Sequence, residues 1–253
     1  MSGLHLQHNL FTKVGQLPAY TFIDVLDLSF NKLGGSVPFP FSGNWFDYSN
    51  NIFSSIPSLD FIRQFRTATK MNLSNNELSS PVPYTECQDN QLSGPVPPYL
   101  LKGCSNLLRM LNLRGNNLSG ILPDEMGESC SLYVIDLPGN QIQGRLPRSL
   151  ASCKYLLHLD VGRNKFVDSM AWPGMNPDEF SYYVGSYFGG FPYPVPVDVD
   201  MKQLYLSMIK NPFDMVVIDL SDNRFSGSIP KTIGNLVALH VLNMSHNALS
   251  VSR

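Results

Sequence analysis

The side chains best able to do chemistry in this sequence are its five histidines and its paired carboxylates. The histidines are His5, His8, His158, His240 and His246. None belongs to an H-E-x-x-H pair, and the sequence contains no G-x-S-x-G, phosphate-loop or kinase motif. Adjacent acids such as Asp124 and Glu125 have no catalytic spacing and are expected to be solvated. We therefore expect no enzyme activity, no cofactor and no metal ion.

Four cysteines could form a disulfide or bind a metal. They are Cys87, Cys104, Cys130 and Cys153. No C-x-x-C pair or Cys/His spacing typical of zinc occurs. Cys130 and Cys153 are 23 residues apart, close to the repeat length described below, which places them on neighbouring turns. A disulfide between them is geometrically feasible in an oxidising compartment, and the alternative is a pair of thiols.

Three N-x-S sequons are candidate glycosylation sites. They begin at Asn72, Asn117 and Asn243. In a secreted protein such asparagines accept glycans at exposed positions. The alternative is that the sequons are a by-product of the repeat, whose N-L-S template generates them by itself.

The secondary-structure elements that position these side chains follow from a sequence repeat, which is clearest around Asn116 and Asn140. Residues 106–147 read as two rows of the pattern L-x-x-L-x-L-x-x-N-x-L-x-G-x-L-P. Every pattern position moves by 24 residues from the first row to the second. A repeat of about 20 to 29 residues with this pattern is typical of leucine-rich repeats. The sequence therefore predicts a solenoid.

Each part of the pattern has a physical role. The L-x-L segment predicts a short strand whose alternate side chains point inward. The Asn side chain has donors and an acceptor for backbone groups at the inner turn. Glycine tolerates unusual backbone angles, and proline fixes φ where no N–H is needed. One turn cannot bury its leucines alone, so stacked turns must share the core.

Ten asparagines index the repeats along the chain. They are Asn9, Asn31, Asn51, Asn76, Asn90, Asn116, Asn140, Asn164, Asn223 and Asn247. Asn90 follows Asn76 by only 14 residues, so we expect an irregular junction near residues 84–90. About nine or ten turns are predicted, some of them defective.

The step from Asn164 to Asn223 is 59 residues and marks an insertion. The inserted segment is rich in Tyr, Phe, Gly and Pro, and its part Val195–Ile209 alternates enough to form one or two strands. The predicted organisation is leucine-rich repeats at 1–167, a non-repeat island at 168–214, and repeats at 215–253 with the last one incomplete.

Composition and charge exclude several classes of partner. Charged residues make up 15% of the chain and the net charge is −2, which argues against nucleic acid and anionic membranes. No apolar run approaches the roughly 20 residues that a membrane helix needs. The N-terminal stretch MSGLHLQHNL lacks the basic and apolar regions of a signal peptide, so none is expected.

The exposed face of the strands is where solenoids usually bind partners. Four residues before each repeat Asn, the chain carries Asp27, Asp47, Asn72, Asn112, Asp136, Asp160, Asp219 and Asn243. This column could bind a ligand, but we favour the interpretation that it is a repeated, solvent-facing polar position.

Residues that break the repeat consensus are better candidates for ligand contact, since aromatic and Arg side chains dominate binding hot spots. On the strands and turns they are Trp45, Arg114, His158, Arg163 and His246. In the insertion they are Tyr182, Tyr183, Tyr187 and Tyr193. The alternative for the tyrosines is that they pack the insertion back onto the solenoid.

The ending L-S-G-x-I-P and the 24-residue step resemble plant-type extracellular leucine-rich repeats. Three segments resemble plant receptor-like proteins more closely. They are LNLRGNNLSGILP, LPRSLASCKYLLHLDVGRNKF and IDLSDNRFSGSIPKTIGNLVALHVLNMSHNALS. The fold expected is an α/β-type repeat solenoid, a plant-type horseshoe or superhelix with short parallel β-strands on its concave face and an island insertion.

The resemblance implies a glycoprotein at the extracellular face of the plasma membrane, with one membrane helix and a short tail. Such proteins lack a kinase and signal through partner receptor kinases, many of them in defence. The resemblance also implies that at least one sequon is used and that the island contacts ligand or co-receptor. Lys202 matches the family's Lys-Gly pair after the island tyrosines, although Gln203 replaces the glycine.

The expected function is recognition of an extracellular peptide, protein or glycan, with signalling through a partner receptor kinase. One alternative is a secreted inhibitor of a pathogen enzyme, such as a polygalacturonase inhibitor, although inhibitors of that class have no island. Another is a non-functional product. The family's signal peptide, terminal caps and membrane helix are missing from the pattern, so the chain is expected to be a truncated or internally deleted member.

Overall fold

The structure is a computed structural model that describes most of the repeat region and part of the insertion. The described residues are 3–14, 23–38, 43–56, 68–78, 96, 108–124, 130–153, 155–167, 197–201, 204–208, 216–229, 233 and 239–250. Within these ranges the chain forms short strands and one 3-10 helix at Arg148–Ser152, and no α-helix. The α part of the expected fold class is therefore not found in the described residues.

The strands follow the repeat and are two to five residues long. Their bounds are β1 Gly3–His5, β2 Val25–Asp27, β3 Gly34–Ser36, β4 Trp45–Asp47, β5 Ile52–Ser55, β6 Lys70–Asn72, β7 Met110–Asn112, β8 Ser119–Ile121, β9 Val134–Asp136, β10 Gln141–Gly144, β11 His158–Asp160, β12 Lys165–Phe166, β13 Val197–Met201, β14 Leu204–Met208, β15 Val216–Asp219, β16 Ser226–Ser228, β17 Leu239–Asn243 and β18 Ala248–Ser250.

Nine of these strands form one parallel sheet, in the order β1-β2-β4-β6-β7-β9-β11-β15-β17. Equivalent positions of successive repeats face each other, so Leu111 lies opposite Ile135 and Ile135 lies opposite Leu159. The pattern L-x-L thus places one buried side chain per strand at the same height in every turn. The parallel-strand repeat solenoid predicted from the sequence is confirmed.

The two irregular steps of the repeat do not interrupt this sheet. Strand β6 pairs directly with β7, and β11 pairs directly with β15. The nine-stranded sheet is therefore continuous from β6 to β7 and from β11 to β15. The junction predicted near 84–90 lies outside the described residues, and the proposed domain limits stay predictions.

Within the insertion, β13 and β14 form an antiparallel pair in which Val199 lies opposite Leu206. This confirms the expected strands in the second half of the insertion. They belong to a two-stranded sheet of their own and not to the nine-stranded sheet.

A second set of parallel strands forms after seven of the repeat asparagines. The sheets are β3-β5, β8-β10-β12 and β16-β18. The pattern glycine lies in these strands with a left-handed backbone, as in Gly144 at φ +83°. A Cβ atom there would approach the Ile121 side chain to 2.7 Å. Glycine is therefore required at this position by its backbone angle, and at Gly144 also by close packing against the preceding turn.

The core is one cluster of buried apolar side chains that runs through the described repeats. Leu28, Leu113 and Leu137 are fully buried at the second leucine of L-x-L, and Tyr48 occupies the same place in its own turn. Each such leucine contributes about 1.5–3 kcal/mol through burial. After the ladder asparagines, the rings of Phe166 and Phe225 stack with their centroids 6.3 Å apart.

The repeat asparagines form a ladder of side-chain hydrogen bonds to the backbone. Asn140 is typical, because its Nδ2 donates to the carbonyls of Leu113 and Leu137 at 3.0 and 2.9 Å. Its Oδ1 accepts from the N–H of Leu118 at 3.0 Å. Each ladder side chain thus binds its own turn and the preceding one. The eight asparagines that bridge two turns in this way are Asn31, Asn51, Asn76, Asn116, Asn140, Asn164, Asn223 and Asn247.

The residue before each ladder asparagine adopts the left-handed conformation. Its φ lies between 49° and 69° at His8, Phe30, Asn50, Asn75, Gly115, Gly139, Arg163, Asp222 and His246. For a residue with a side chain this conformation costs roughly 1–2 kcal/mol. The conformation recurs in all nine described turns, and seven of them have a non-glycine residue there in spite of the cost. This indicates that the conformation is needed to aim the asparagine inward. The sequence pattern did not predict this feature.

A disulfide joins Cys130 and Cys153, whose Cα atoms are 4.7 Å apart. The two cysteines precede β9 and β11 and are buried. The bridge therefore ties together two turns that are also neighbours in the sheet. Cys87 and Cys104 lie outside the described residues.

We predict that Asn116→Ala lowers the free energy of unfolding by about 3 kcal/mol, because it removes four hydrogen bonds to backbone groups. These are the bonds from Nδ2 to Leu73, Leu113 and Arg114 and the bond from the Leu78 N–H. Urea denaturation followed by circular dichroism measures the change. The control is Asn117→Ala, next to it and exposed, which should change stability by less than about 0.5 kcal/mol. Equal losses in both variants would contradict the ladder's role.

We also predict that the double variant Cys130→Ser/Cys153→Ser loses about 3 kcal/mol of stability. The disulfide restricts the unfolded chain, and removing it raises the entropy of the unfolded state. A reductant should lower the urea midpoint of the wild type and leave that of the double variant unchanged. The same response to reductant in both proteins would show that this bridge does not stabilise the fold.

Candidate functional site

The last residues of the sheet strands form one polar column across the sheet. Parallel register places them side by side in the order His5, Asp27, Asp47, Asn72, Asn112, Asp136, Asp160, Asp219 and Asn243. We call this set the strand-end column. It contains the eight Asp/Asn positions recognised in the sequence, with His5 added at the first strand.

Most members of the strand-end column close the turn that follows their strand. The Oδ1 of Asp27 accepts from the N–H of Ser29 at 3.0 Å, and that of Asp219 accepts from Ser221 at 2.8 Å. Such local bonds satisfy the backbone as the chain leaves the sheet. The repeated polar position therefore has a structural role. In Asp136 this bond cannot form, because the residue two positions later is Pro138 and has no N–H.

The expectation that this column faces solvent is wrong for its central members. Asp136, Asp160 and Asp219 are only 4–5% exposed, whereas Asp27, Asp47 and Asn72 are half-buried. The neighbouring first positions of β9, β11 and β15 are buried as well. The sheet face therefore has a buried part at these three strands and a more open part at β2, β4 and β7.

Arg114 spans two members of the buried part. Its Nε lies 3.4 Å from Asp136 Oδ2 and its Nη2 lies 3.1 Å from Asp160 Oδ2, with the Arg side chain 15% exposed. Burial nevertheless raises the pKa of Asp160 well above its usual range, and the negative charges of Asp136 and Asp219 add to the rise. The Gly162 N–H and Arg114 oppose this shift. Burial is the larger effect, so the ion pair does not compensate for desolvation.

His158 is buried and not exposed on the face, contrary to expectation. It is 4% exposed and lies in register between Val134 and Val217, which are also buried. Burial lowers the pKa of His158 to about 4, and the positive charge of Arg114 acts in the same direction. Its imidazole is therefore neutral near pH 7, and among the described residues neither ring nitrogen has a hydrogen-bond partner.

Trp45 occupies the equivalent first position of β4 and is half-buried. The Nζ of Lys70, on the next strand, lies 5.7 Å from the centroid of a Trp45 ring, within range of a cation–π contact. Burial lowers the pKa of Lys70. Beside this pair, burial raises the pKa of Asp47, and hydrogen bonds from Ser49 and Asn72 oppose the rise.

Arg163 and His246 lie at the left-handed position of their turns. Both approach the carboxylate of Asp222, with nitrogen–oxygen distances of 3.9 Å. The side chains are 62%, 77% and 48% exposed for Arg163, His246 and Asp222. Exposed pairs of this kind contribute at most about 1 kcal/mol to stability. Most of the surface of the Arg163 and His246 side chains is therefore accessible to solvent.

A cavity of about 180 Å³ brings part of this set together. Arg114 and Arg163 line it, together with Asp160, Asp219 and Ser221. Two of the five strand and turn candidates from the sequence thus share one polar cavity, while Trp45, His158 and His246 do not line it. The aspartates of the cavity match the repeat consensus, so the sequence alone does not identify them as candidate binding residues.

The remaining sequence candidates fall in two groups. The island tyrosines Tyr182, Tyr183, Tyr187 and Tyr193, and Lys202, lie outside the described residues. Among the sequons, Asn72 donates from Nδ2 to Asp47 Oδ2 at 3.0 Å and Asn243 donates to Asp219 Oδ2 at 2.9 Å. Asn117 is exposed.

Comparison with known proteins agrees with this architecture. The Leucine Rich Repeat family matches residues 22–44, 107–129 and 214–236. Receptor-like protein 18 of Arabidopsis thaliana is 28% identical over 87% of this chain and 31% of its own length. Receptor-like protein 54 of the same plant is 28% identical over 96% of this chain and 37% of its own length. The chain thus spans about a third of the length of these relatives.

Solved structures show the same fold. The ectodomain of the Arabidopsis receptor kinase HAESA, in complex with an N-terminally extended IDA peptide hormone, has a TM-score of 0.67 at 20% identity and covers 98% of this chain and 34% of its own. A TDR receptor has a TM-score of 0.56 at 21% identity, covering 98% of this chain and 44% of its own.

The repeat, the sheet and the family match define a leucine-rich-repeat protein. The resemblance that the sequence shows to plant receptors is confirmed by the Arabidopsis relatives. Over most of its length the chain is similar to the plant leucine-rich-repeat receptor-like proteins. No helix in the described ranges has both the length and the apolar character for a membrane span.

We predict that the three sequons differ in use when the chain is directed into the secretory pathway. Asn117 should carry a glycan in most secreted molecules, because its side chain is exposed. Asn72 should carry one in a minority, since its amide is hydrogen-bonded to Asp47 within the sheet face. Mass spectrometry of the secreted, folded protein measures the occupancy of each site. Asn117→Gln should remove the main glycoform, and equal occupancy at Asn72 and Asn117 would contradict the prediction.

Proposed function

We propose that this chain is the ligand-recognition part of a cell-surface receptor-like protein. It binds an extracellular peptide, protein or glycan and signals through a partner receptor kinase, in plant defence. The proposed place of action is the extracellular face of the plasma membrane.

The cavity beside Arg114 and Arg163 is the observation that carries this proposal. It presents two guanidinium groups and the carboxylates of Asp160 and Asp219 within one polar concavity. Groups of both signs favour a ligand that itself has both signs, as a peptide does. Charge-assisted hydrogen bonds to such groups contribute about 1.5–3 kcal/mol each, so a few of them would orient a short peptide on the sheet face.

The cavity is held by rigid parts of the fold. Arg114 and Arg163 follow strands β7 and β11, and each lies close to a ladder asparagine whose hydrogen bonds fix the turn. A surface that is already ordered loses less entropy on binding. The related ectodomain of HAESA has been solved with the peptide hormone IDA and the co-receptor SERK1, and this precedent supports a peptide ligand and a kinase partner here.

We predict that Arg163→Asn weakens peptide binding at least about tenfold, which corresponds to about 1.4 kcal/mol. Asparagine tolerates the left-handed backbone of this position, so the variant removes the guanidinium and keeps the turn. The probe is a pool of synthetic 12-residue peptides of varied charge, tested against the full chain by biolayer interferometry. The control Arg224→Gln removes the same charge from an exposed position outside the cavity and should change affinity by less than about twofold.

Equal losses in the two variants would show that binding follows net charge and not the cavity. The inhibitor alternative has its own test in the same preparation. If no peptide binds and the chain inhibits a fungal polygalacturonase, the receptor proposal is wrong. A folded chain with neither property would favour the non-functional alternative.

A further inference from the structure

Asp136, His158 and Asp160 form a compact buried cluster on the adjacent strands β9 and β11. One ligand atom from each residue lies within 4.8 Å of the other two, and each residue is 4% exposed. Asp136 and Asp160 are opposite each other in the sheet. His158 precedes Asp160 by two residues on the same strand, so both side chains are on one face.

The His158 imidazole is the observation that points to a ligand. Both ring nitrogens are buried, and neither has a hydrogen-bond partner among the described residues. Leaving a buried polar atom without a partner is costly, and native proteins rarely do so without a functional reason. A neutral imidazole with an unused nitrogen beside two carboxylates is the form that binds metal ions.

Asp136 is a second irregular feature of the cluster. Other Asp residues of the strand-end column accept a hydrogen bond from the N–H two residues on, as Asp160 does from Gly162 at 2.9 Å. Pro138 makes that bond impossible for Asp136. The turn-closing role that explains the rest of the column therefore does not explain a buried carboxylate at this position.

The charge of the region also favours a cation. Asp136, Asp160 and Asp219 are in register on three adjacent strands, and all three are buried. Arg114 contacts the first two of them through their Oδ2 atoms. One guanidinium thus faces three buried carboxyl groups, and a cation bound there would favour the ionised form of Asp160, which burial alone disfavours.

We propose that Asp136, His158 and Asp160 bind one divalent transition-metal ion, for which Zn²⁺ is the best match. Zinc takes imidazole nitrogen and carboxylate oxygen at about 2.0–2.2 Å. Ligand atoms of a tetrahedral zinc ion are about 3.4 Å apart. The three side chains, whose ligand atoms lie within 4.8 Å of one another, would therefore have to move together by up to about 1.4 Å on binding. Calcium and magnesium prefer sites made of oxygen alone, so His158 selects against them.

Asp160 connects this site to the cavity of the proposed receptor surface, because it lines that cavity and belongs to the trio. An ion would enter from this side and would tie β9 to β11. The competing explanation is that Arg114 alone compensates the negative charge of the carboxylates and that His158 is a buried residue without a ligand. Measuring whether the folded chain binds a metal ion distinguishes this explanation from the proposal.

The test titrates Zn²⁺ into the full chain against a chromophoric chelator, after the free thiols have been blocked with iodoacetamide. We expect one tightly bound equivalent in the wild type. His158→Val and Asp136→Asn should each weaken zinc binding at least about tenfold. Substituting a residue that only hydrogen-bonds to a metal ligand already costs that much, and these two variants alter the ligands themselves. Valine is the residue at the position of His158 on both neighbouring strands, so it suits the site sterically.

Two matched controls come from the same chain. His246→Asn removes an exposed histidine that lies next to an aspartate, and Asp47→Asn removes a half-buried carboxylate of the strand-end column on β4. Both should retain zinc affinity within about threefold. In a separate measurement, Zn²⁺ should raise the Tm of the wild type reversibly with EDTA and leave that of His158→Val unchanged.

Circular dichroism of each metal-free variant shows whether it is folded, and the isosteric Asp136→Asn gives the same test if His158→Val is not. The proposal is overturned if the folded variants bind zinc as tightly as the wild type. It is equally overturned if the wild type binds none, or if His246→Asn abolishes binding. Peptide binding is not needed for any of these readouts, so they stand apart from the receptor proposal.

Discussion

The asparagine ladder is the interaction on which the rest of the structure depends. A solenoid turn buries backbone groups at its inner bend, where neither strand pairing nor water satisfies them. Asn51, Asn76 and Asn164 each bind carbonyls of two turns through one amide and accept an N–H from the earlier turn. Because each asparagine side chain hydrogen-bonds to the backbone of the preceding turn, the ladder fixes the register between turns as well as the bend within each turn.

Fixed register turns a sequence repeat into columns of side chains. The left-handed residue before each asparagine rotates the chain out of the sheet, and the strand-end column accepts the N–H groups that this rotation exposes. Residues far apart in sequence then become neighbours at strand spacing. Arg114 reaches Asp160 across 46 positions of chain for this reason alone. The polar cavity is thus a consequence of the register.

The repeat made the columns predictable, but not the environment of each member. Leu111 and Asn116 could be assigned to the core and the ladder from the 24-residue step, because every turn uses those positions in the same way. His158 and Trp45 share one position of the repeat, yet the first is buried and the second is half-buried. That difference depends on neighbours from other turns, which the pattern of one turn does not contain. The left-handed position escaped notice because Arg, Phe and His occupy it as well as Gly and Asn.

The buried carboxylates show that the fold tolerates a local electrostatic cost. Asp136 and Asp160 remain side by side at a desolvation cost that Arg114 does not offset, since the pKa of Asp160 stays raised. The ladder residue Asn164 and the Cys130–Cys153 bridge hold the same two turns together. Those contacts do not involve the sheet face, so the face can carry unfavourable electrostatics without loss of register. Asp160 and Asp219 show that one side chain can serve both purposes, since each closes its own turn and lines the cavity.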